Sequence, residues 1–136
     1  MANGTIAFDT LSTSGQITGT AKSVDTDYVV SGSSKCWVTL IGTGTAAILD
    51  SLNTSGLTDN GTGNHTIAIN NDFSTVNYSL TTGIRGVSGT SHAITVLDID
   101  TASSASSFKM QTLQSGSSQT ALDCPLLNCT AHGDLA

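Results

Sequence analysis

The chain has 136 residues and a formal net charge of −6. This length suits a single domain over residues 1–136, and the four Lys and Arg residues form no run, which argues against a nucleic-acid-binding protein. No apolar stretch approaches the roughly 20 residues of a membrane-spanning helix, so we expect no membrane insertion.

The composition favours sheet over helix. Ser and Thr make up roughly three residues in ten, and the chain contains no Glu. Thr and other β-branched residues suit strands, whereas charged helix formers such as Glu, Lys and Arg are scarce. Because no window keeps a helical period, we predict an all-β protein.

The first third of the chain contains only short strand signals. Residues 4–10 alternate apolar and polar side chains and predict a short strand. Residues 11–27 are rich in Ser, Thr and Gly, which indicates a loop or an edge-like excursion. Tyr28, Val29 and Val30 predict another short strand, which ends at a Ser/Gly cluster.

The strongest strand signal lies in residues 36–41. Both alternating sets of side chains in this run are largely apolar, so we expect a strand covered on both faces, with Trp37 in the core. A Gly-Thr-Gly turn at 42–44 precedes a second apolar strand at 45–50.

A hairpin is predicted next. The Asp/Asn/Gly-rich residues 59–64 separate two β-type runs, and in the second run His65, Ile67 and Ile69 share one face. Residues 76–80 resume the alternation, and Thr81, Thr82 and Gly83 are expected to close this strand.

The last third of the chain continues the pattern with strands expected at 84–87, 92–98, 108–113 and 122–131. In the last two, Phe108 and Met110 are expected inward, and Leu127, Cys129 and Ala131 are expected on one side. The total of about eight to ten short strands, spaced roughly ten residues apart, predicts an antiparallel β-sandwich or jelly roll.

Catalytic chemistry finds no support in the sequence. There is no Gly-x-Ser-x-Gly motif, and no nucleophile is specifically paired with His65, His92 or His132. The chain also lacks Glu, and most Asp residues lie in predicted turns. We therefore expect no catalytic residues and no enzyme activity.

Metal and cofactor sites are not expected either. Cys124, Cys129 and His132 have a superficial zinc spacing without an evident fourth ligand. The three cysteines leave two alternatives open: a disulfide between Cys124 and Cys129, or buried free thiols at all three positions, including Cys36.

The central motif resembles a known group of proteins, and both ends of the chain extend the likeness. The motif consists of Lys35, Trp37, Val38, 42–45, Ile48, 50–51, Asn53, Ser55, 58–63, Thr66 and 77–78, and the ends are 1–6, 8–11 and 133–136. These residues are similar to those of the small β-structured virion proteins of tailed bacteriophages that infect marine bacteria and cyanobacteria.

The resemblance implies a non-enzymatic structural protein exposed on the virion and made in the host cytoplasm. Its role would be attachment as a short fibre or knob, through other virion proteins of the capsid or tail or through a host surface glycan. The alternatives are a capsid decoration protein and a lectin-like carbohydrate-binding module. The family, the few large apolar residues and the exposed sheet edges together predict a homotrimer.

Binding is expected to use loop hydroxyls and amides. The candidate residues lie in three predicted loops: Asn60, Gly61, Thr62, Asn64, Ser88, Thr90 and Ser117.

Overall fold

A computed structural model describes residues 16–18, 23–86, 93–97, 103–115 and 119–136 of the chain. These residues form one helix, α1 (Thr26–Gly32), and ten strands. The strands are β1 (Gln16–Thr18), β2 (Ser23–Asp25), β3 (Ser34–Ile41), β4 (Ala47–Leu52), β5 (Thr54–Asp59), β6 (Asn64–Ile69), β7 (Ser79–Arg85), β8 (Ala93–Leu97), β9 (Ser107–Gln114) and β10 (Leu126–His132).

Eight of these strands form two four-stranded sheets, and every pairing is antiparallel. The front sheet has the order β4-β3-β10-β7, and the back sheet has the order β5-β6-β9-β8. The remaining pair, β1 and β2, forms a two-stranded ribbon. The predicted antiparallel β-sandwich is therefore confirmed.

The core lies between the two sheets and is built by alternation, which Leu113 near the end of β9 interrupts. In the front sheet, β3 and β10 bury every second residue, and β6 and β9 do the same in the back sheet. The buried apolar side chains that pack together are Cys36, Val38, Leu40, Ile67, Ile69, Phe73, Phe108, Met110, Cys124, Leu127, Cys129 and Ala131. This confirms the inward faces predicted for β6, β9 and β10.

Helix α1 replaces the strand that was predicted at Tyr28, Val29 and Val30. These three residues favour strand, but the segment begins with Thr26 and Asp27 and ends at Gly32. Thr is favoured at a helix start, and Asp is stabilising in the first turn. Gly32 is the last residue of α1 and lacks the left-handed conformation of a glycine that caps a helix. The signals at the start of the segment outweigh the weak preference of Tyr28, Val29 and Val30 for strand.

Three other expectations need correction. The described parts of 11–27 include β1 and β2, in which Ile17 is opposite Val24, so this region is not simply a loop. The predicted break at 81–83 lies inside β7, because Thr81, Thr82 and Gly83 pair with β10. Val76 lies before that strand and is exposed. The predicted strand at 4–10 lies outside the described residues.

The two ends of the sandwich differ. At one end of the sandwich, four strands begin: β3, β5, β7 and β9. Three strands end there, namely β4, β6 and β10, and α1 leads into β3 at the same end. We call this the helix end. It includes α1, residues 70–78 and residues 133–136. No helix within the described ranges is long and apolar enough to cross a membrane.

Candidate functional site

The hairpin tip between β5 and β6 lies at the end of the sandwich opposite the helix end. Asn60, Gly61 and Thr62 are exposed there, as expected of a binding loop, whereas Asn64 is partly buried. The other predicted binding residues lie outside the described residues: Ser88, Thr90 and Ser117.

Close backbone packing holds this hairpin tip in place. The Gly63 amide donates a 2.6 Å hydrogen bond to Asp123 Oδ1, and the Thr112 amide donates a 2.7 Å bond to Gly63 O. Gly63 has a φ of +66°, and a Cβ atom there would lie 2.6 Å from Thr112 O. The glycines and amides at this tip thus have a structural role that accounts for their sequence pattern.

The helix end carries a concave site that sequence reasoning missed. A groove of about 230 Å³ opens between α1, the 73–78 segment and the residues after β10. Its lining consists mainly of polar side chains above two aromatic rings: Ser31, Phe73, Ser74, Thr75, Asn77, Tyr78, Gly133 and Asp134. A wider depression continues from it past Val30, Lys35 and Leu135.

The floor of the groove is fixed by packing. The rings of Phe73 and Tyr78 stack with centroids 4.3 Å apart and an interplanar angle of 16°. Phe73 is fully buried, whereas Tyr78 is half-buried, and the Tyr78 hydroxyl lies within donating distance of Ser104 O (3.0 Å) and Ser107 O (3.1 Å). Burial raises the pKa of the Tyr78 phenol, so this group stays a neutral donor.

Backbone hydrogen bonds hold together the two segments that form the walls of the groove. The Ser74 amide donates to Asp134 O at 2.8 Å, and the Ala136 amide donates to Asp72 O at 2.8 Å, so the 73–78 segment and the chain after β10 run together. Gly133 is required at their contact, because a Cβ atom there would lie 2.9 Å from Tyr78 Cβ. The rim is therefore built by strand ends that are distant in sequence.

The polar atoms of the groove include both donors and acceptors. Ser31 Oγ donates to Asp134 Oδ1 at 3.2 Å, which links α1 to the opposite wall. The Asn77 backbone amide donates to Thr75 Oγ1 at 3.1 Å. No described residue hydrogen-bonds the Asn77 side-chain amide or the Ser74 hydroxyl, so both are free to meet a ligand.

Exposed apolar side chains occur in the segments that form this groove, and two of them, Val30 and Leu135, line the adjoining depression. Among the described residues, seven large apolar side chains are exposed, and five lie in the segments of the helix end: Tyr28, Val29, Val30, Val76 and Leu135. Leu52, the last residue of β4, pairs with Trp37 of the front sheet. The seventh, Leu49, lies in the middle of β4. Tyr28 is 79% exposed. Large exposed apolar groups that cluster on one surface are typical of interaction sites.

Trp37 belongs to neither the core nor the groove. It lies on the outer face of β3, partly exposed, opposite Leu52 on β4 and Thr130 on β10. The expectation of a core tryptophan, and of a strand fully covered on both faces, was therefore wrong. Cys36, Val38 and Leu40 are the buried set of β3.

The cysteines are free, buried thiols at all three positions. Burial raises the pKa of Cys129 to about 12, with the neighbouring Cys36 adding to the effect, and burial also raises the pKa of Cys36 and Cys124. Protonated thiols are poor nucleophiles and poor metal ligands. In the structure Cys124 and Cys129 share no disulfide.

The two described histidines, His65 at the start of β6 and His132 at the end of β10, lie at opposite ends of the sandwich. His65 is 1% exposed in the core, and neither ring nitrogen has a protein hydrogen-bond partner. His132 Nδ1 lies 3.2 Å from Gly32 O near the end of α1. Within the part of the chain that the structure describes, no group of three His, Cys, Asp or Glu side chains is placed to hold a metal ion. His92 lies outside the described residues.

Comparison with protein-family models, with curated proteins and with solved structures finds no match to the chain.

Proposed function

We propose that the protein is a non-catalytic attachment protein on the surface of a bacteriophage particle, and that its helix end contacts the surface to which the particle attaches. The observation that carries this proposal is that five of the seven large apolar side chains exposed among the described residues lie in the segments of the helix end, where Val30 and Leu135 line the depression beside the groove. The resemblance of the central motif to phage virion proteins supplies the particle context.

The physical basis is the cost of leaving these groups in water. Full burial of a side chain the size of Val or Leu contributes about 1.5–3 kcal/mol. Tyr28 combines a large apolar ring with a hydroxyl, which is the kind of side chain that anchors interfaces. The helix end thus offers several anchors on a rigid frame.

Competition for phage adsorption tests the proposal. The purified protein, added in excess to host cells, is expected to slow adsorption of the phage whose genome encodes it. A double variant, Tyr28→Ser with Val30→Ser, is expected to lose most of this competition. Leu49→Ser is the matched control, since Leu49 is 54% exposed and Val30 is 51% exposed. Unchanged adsorption in the presence of the wild-type protein contradicts the proposal.

Electron microscopy with a gold-labelled antibody separates the alternatives within this function. A few gold particles at the tail or vertices indicate a short fibre or knob, as proposed. Labelling spread over the whole shell indicates a capsid decoration protein instead. Particles without any label remove the virion assignment altogether.

A further inference from the structure

We propose that the groove at the helix end binds a single neutral sugar unit of a surface glycan, held by Asp134, Asn77 and Ser74 against the ring of Tyr78. This inference rests on the proposed attachment function and names the chemistry that the helix end recognises. It moves the binding residues away from the hairpin tip at Asn60, Gly61 and Thr62.

The size of the groove fits one pyranose ring. Its volume of about 230 Å³ lies below the roughly 300–1,000 Å³ of sites for drug-sized ligands, which favours a ligand as small as a single sugar ring. This space accommodates one sugar ring with its hydroxyls. The adjoining depression beside Val30, Lys35 and Leu135 leaves room for the next unit of a glycan chain.

The polar groups match a polyol. Sugar hydroxyls both donate and accept, so they suit a site with a carboxylate acceptor, an amide and a hydroxyl. Ser31 Oγ donates to Asp134 Oδ1 and fixes that carboxylate, which leaves Oδ2 to accept from the ligand. The side chains of Asn77 and Ser74 form no hydrogen bond with any described residue, so a ligand can bind them without breaking such a bond.

The Tyr78 ring supplies the apolar part of the site. The ring lines the groove and is held in place by its stacking on Phe73 and by its hydroxyl bond to the 104–107 backbone. A sugar presents C–H groups on its ring faces, and an aromatic surface packs against them. A fixed ring loses no side-chain freedom on binding.

Charge disfavours other small ligands. Among the described residues, Asp134 is the only carboxylate lining this groove, and its charge together with the net charge of −6 disfavours phosphate and carboxylate ligands there. A calcium ion takes six to eight oxygen ligands, usually including several carboxylates, and one carboxylate falls short of that. The charges at the groove therefore favour a neutral ligand.

Nuclear magnetic resonance titration of the isotope-labelled protein tests this site. The probes are the methyl glycosides of glucose, galactose, mannose and N-acetylglucosamine, each up to tens of millimolar. At least one is expected to shift the amide signals of Ser74, Asn77 and Asp134, with a Kd of about 1 mM, while Asn60 and Thr62 stay unchanged. Inorganic phosphate is expected to cause no such shifts.

Variants make the assignment specific. Asn77→Ala and Asp134→Asn are each expected to weaken binding at least tenfold. Asn60→Ala at the opposite end is the matched control and is expected to bind like the wild type. The proposal is overturned if none of the four glycosides shifts the groove signals, or if binding survives both groove substitutions.

The outcomes separate this inference from the proposed function. Adsorption competition without glycoside binding leaves attachment standing and removes the sugar site. Glycoside binding without adsorption competition keeps the sugar site and removes the attachment role.

Discussion

His65 is the least satisfied side chain in the described core. It is 1% exposed, it faces Met110 across the β6–β9 pair, and neither ring nitrogen has a protein partner. A buried polar group without a hydrogen bond costs about 1–3 kcal/mol. His65→Leu, which keeps a similar volume, is therefore expected to raise the free energy of unfolding by about 1–2 kcal/mol. Urea unfolding measures this, and a destabilised variant would show that the imidazole has a partner that stabilises it.

The buried thiols make stability depend on alkaline pH. The ordinary pKa of a cysteine thiol is 9.0, and the folded protein raises that of Cys129 to about 12. Between these values the unfolded chain releases the proton and the folded chain keeps it, so the free energy of unfolding falls as pH rises. The urea midpoint is therefore expected to decrease above about pH 9.

Replacement of the thiol isolates this effect. Cys129→Ala lowers stability at neutral pH because it removes a buried side chain, but it is expected to flatten the decrease above pH 9. An equal slope in the wild type and the variant would refute the role of Cys129. The thiol-reactive probe DTNB is expected to label all three cysteines only after unfolding.

At the scale of elements, alternation made much of the sheet predictable. His65, Ile67 and Ile69 mark the inner face of β6 in the sequence and lie on it in the structure. The burial of Trp37 on β3 was predicted wrongly because both alternating sets of side chains in this strand are largely apolar. Periodicity then cannot show which set faces the core. Helix α1 was missed because intrinsic preference is weak beside the signals at the start of a seven-residue segment.

The groove was not predictable from the sequence. Its walls come from residue 31, residues 73–78 and residues 133–134, which no motif connects. Only the register of β10 against β3 and β7 brings the three segments to the same end. The Asp/Asn/Gly-rich sequence at 60–64 is a clear turn signal. It reflects the geometry of the hairpin and does not indicate a binding site.

The turn at Gly63 shows what such a signal specifies. Gly63 and Gly44 have similar positive φ angles, but only Gly63 would place a Cβ atom against neighbouring backbone. Gly44→Ala is expected to cost about 1–2 kcal/mol from the left-handed conformation alone. Gly63→Ala is expected to cost more, because Thr112 and Leu122 must also move. Urea unfolding compares the two, and equal losses would contradict the close packing of the β5–β6 tip.

At the scale of the whole molecule, β4, β7, β5 and β8 are the outermost strands of the sandwich, and each has one edge that no strand among the described residues pairs with. Trp37 and Leu52 add apolar surface on the outer face of the front sheet. Association would cover such edges and faces. The resemblance to phage virion proteins implies three copies, so we propose a homotrimer and expect native mass spectrometry to give three times the 13.8 kDa of one chain. A stable monomer at micromolar concentration contradicts this proposal.

The central claim is that the helix end is the attachment surface, and hydrogen exchange tests it most directly. The protein is incubated with an envelope fraction of the host bacterium, and deuterium uptake is compared with that of the free protein by mass spectrometry. Peptides covering 26–35, 70–78 and 133–136 are expected to become protected, while peptides covering 59–64 remain unchanged. Protection confined to 59–64, or no protection in any peptide, would contradict the account.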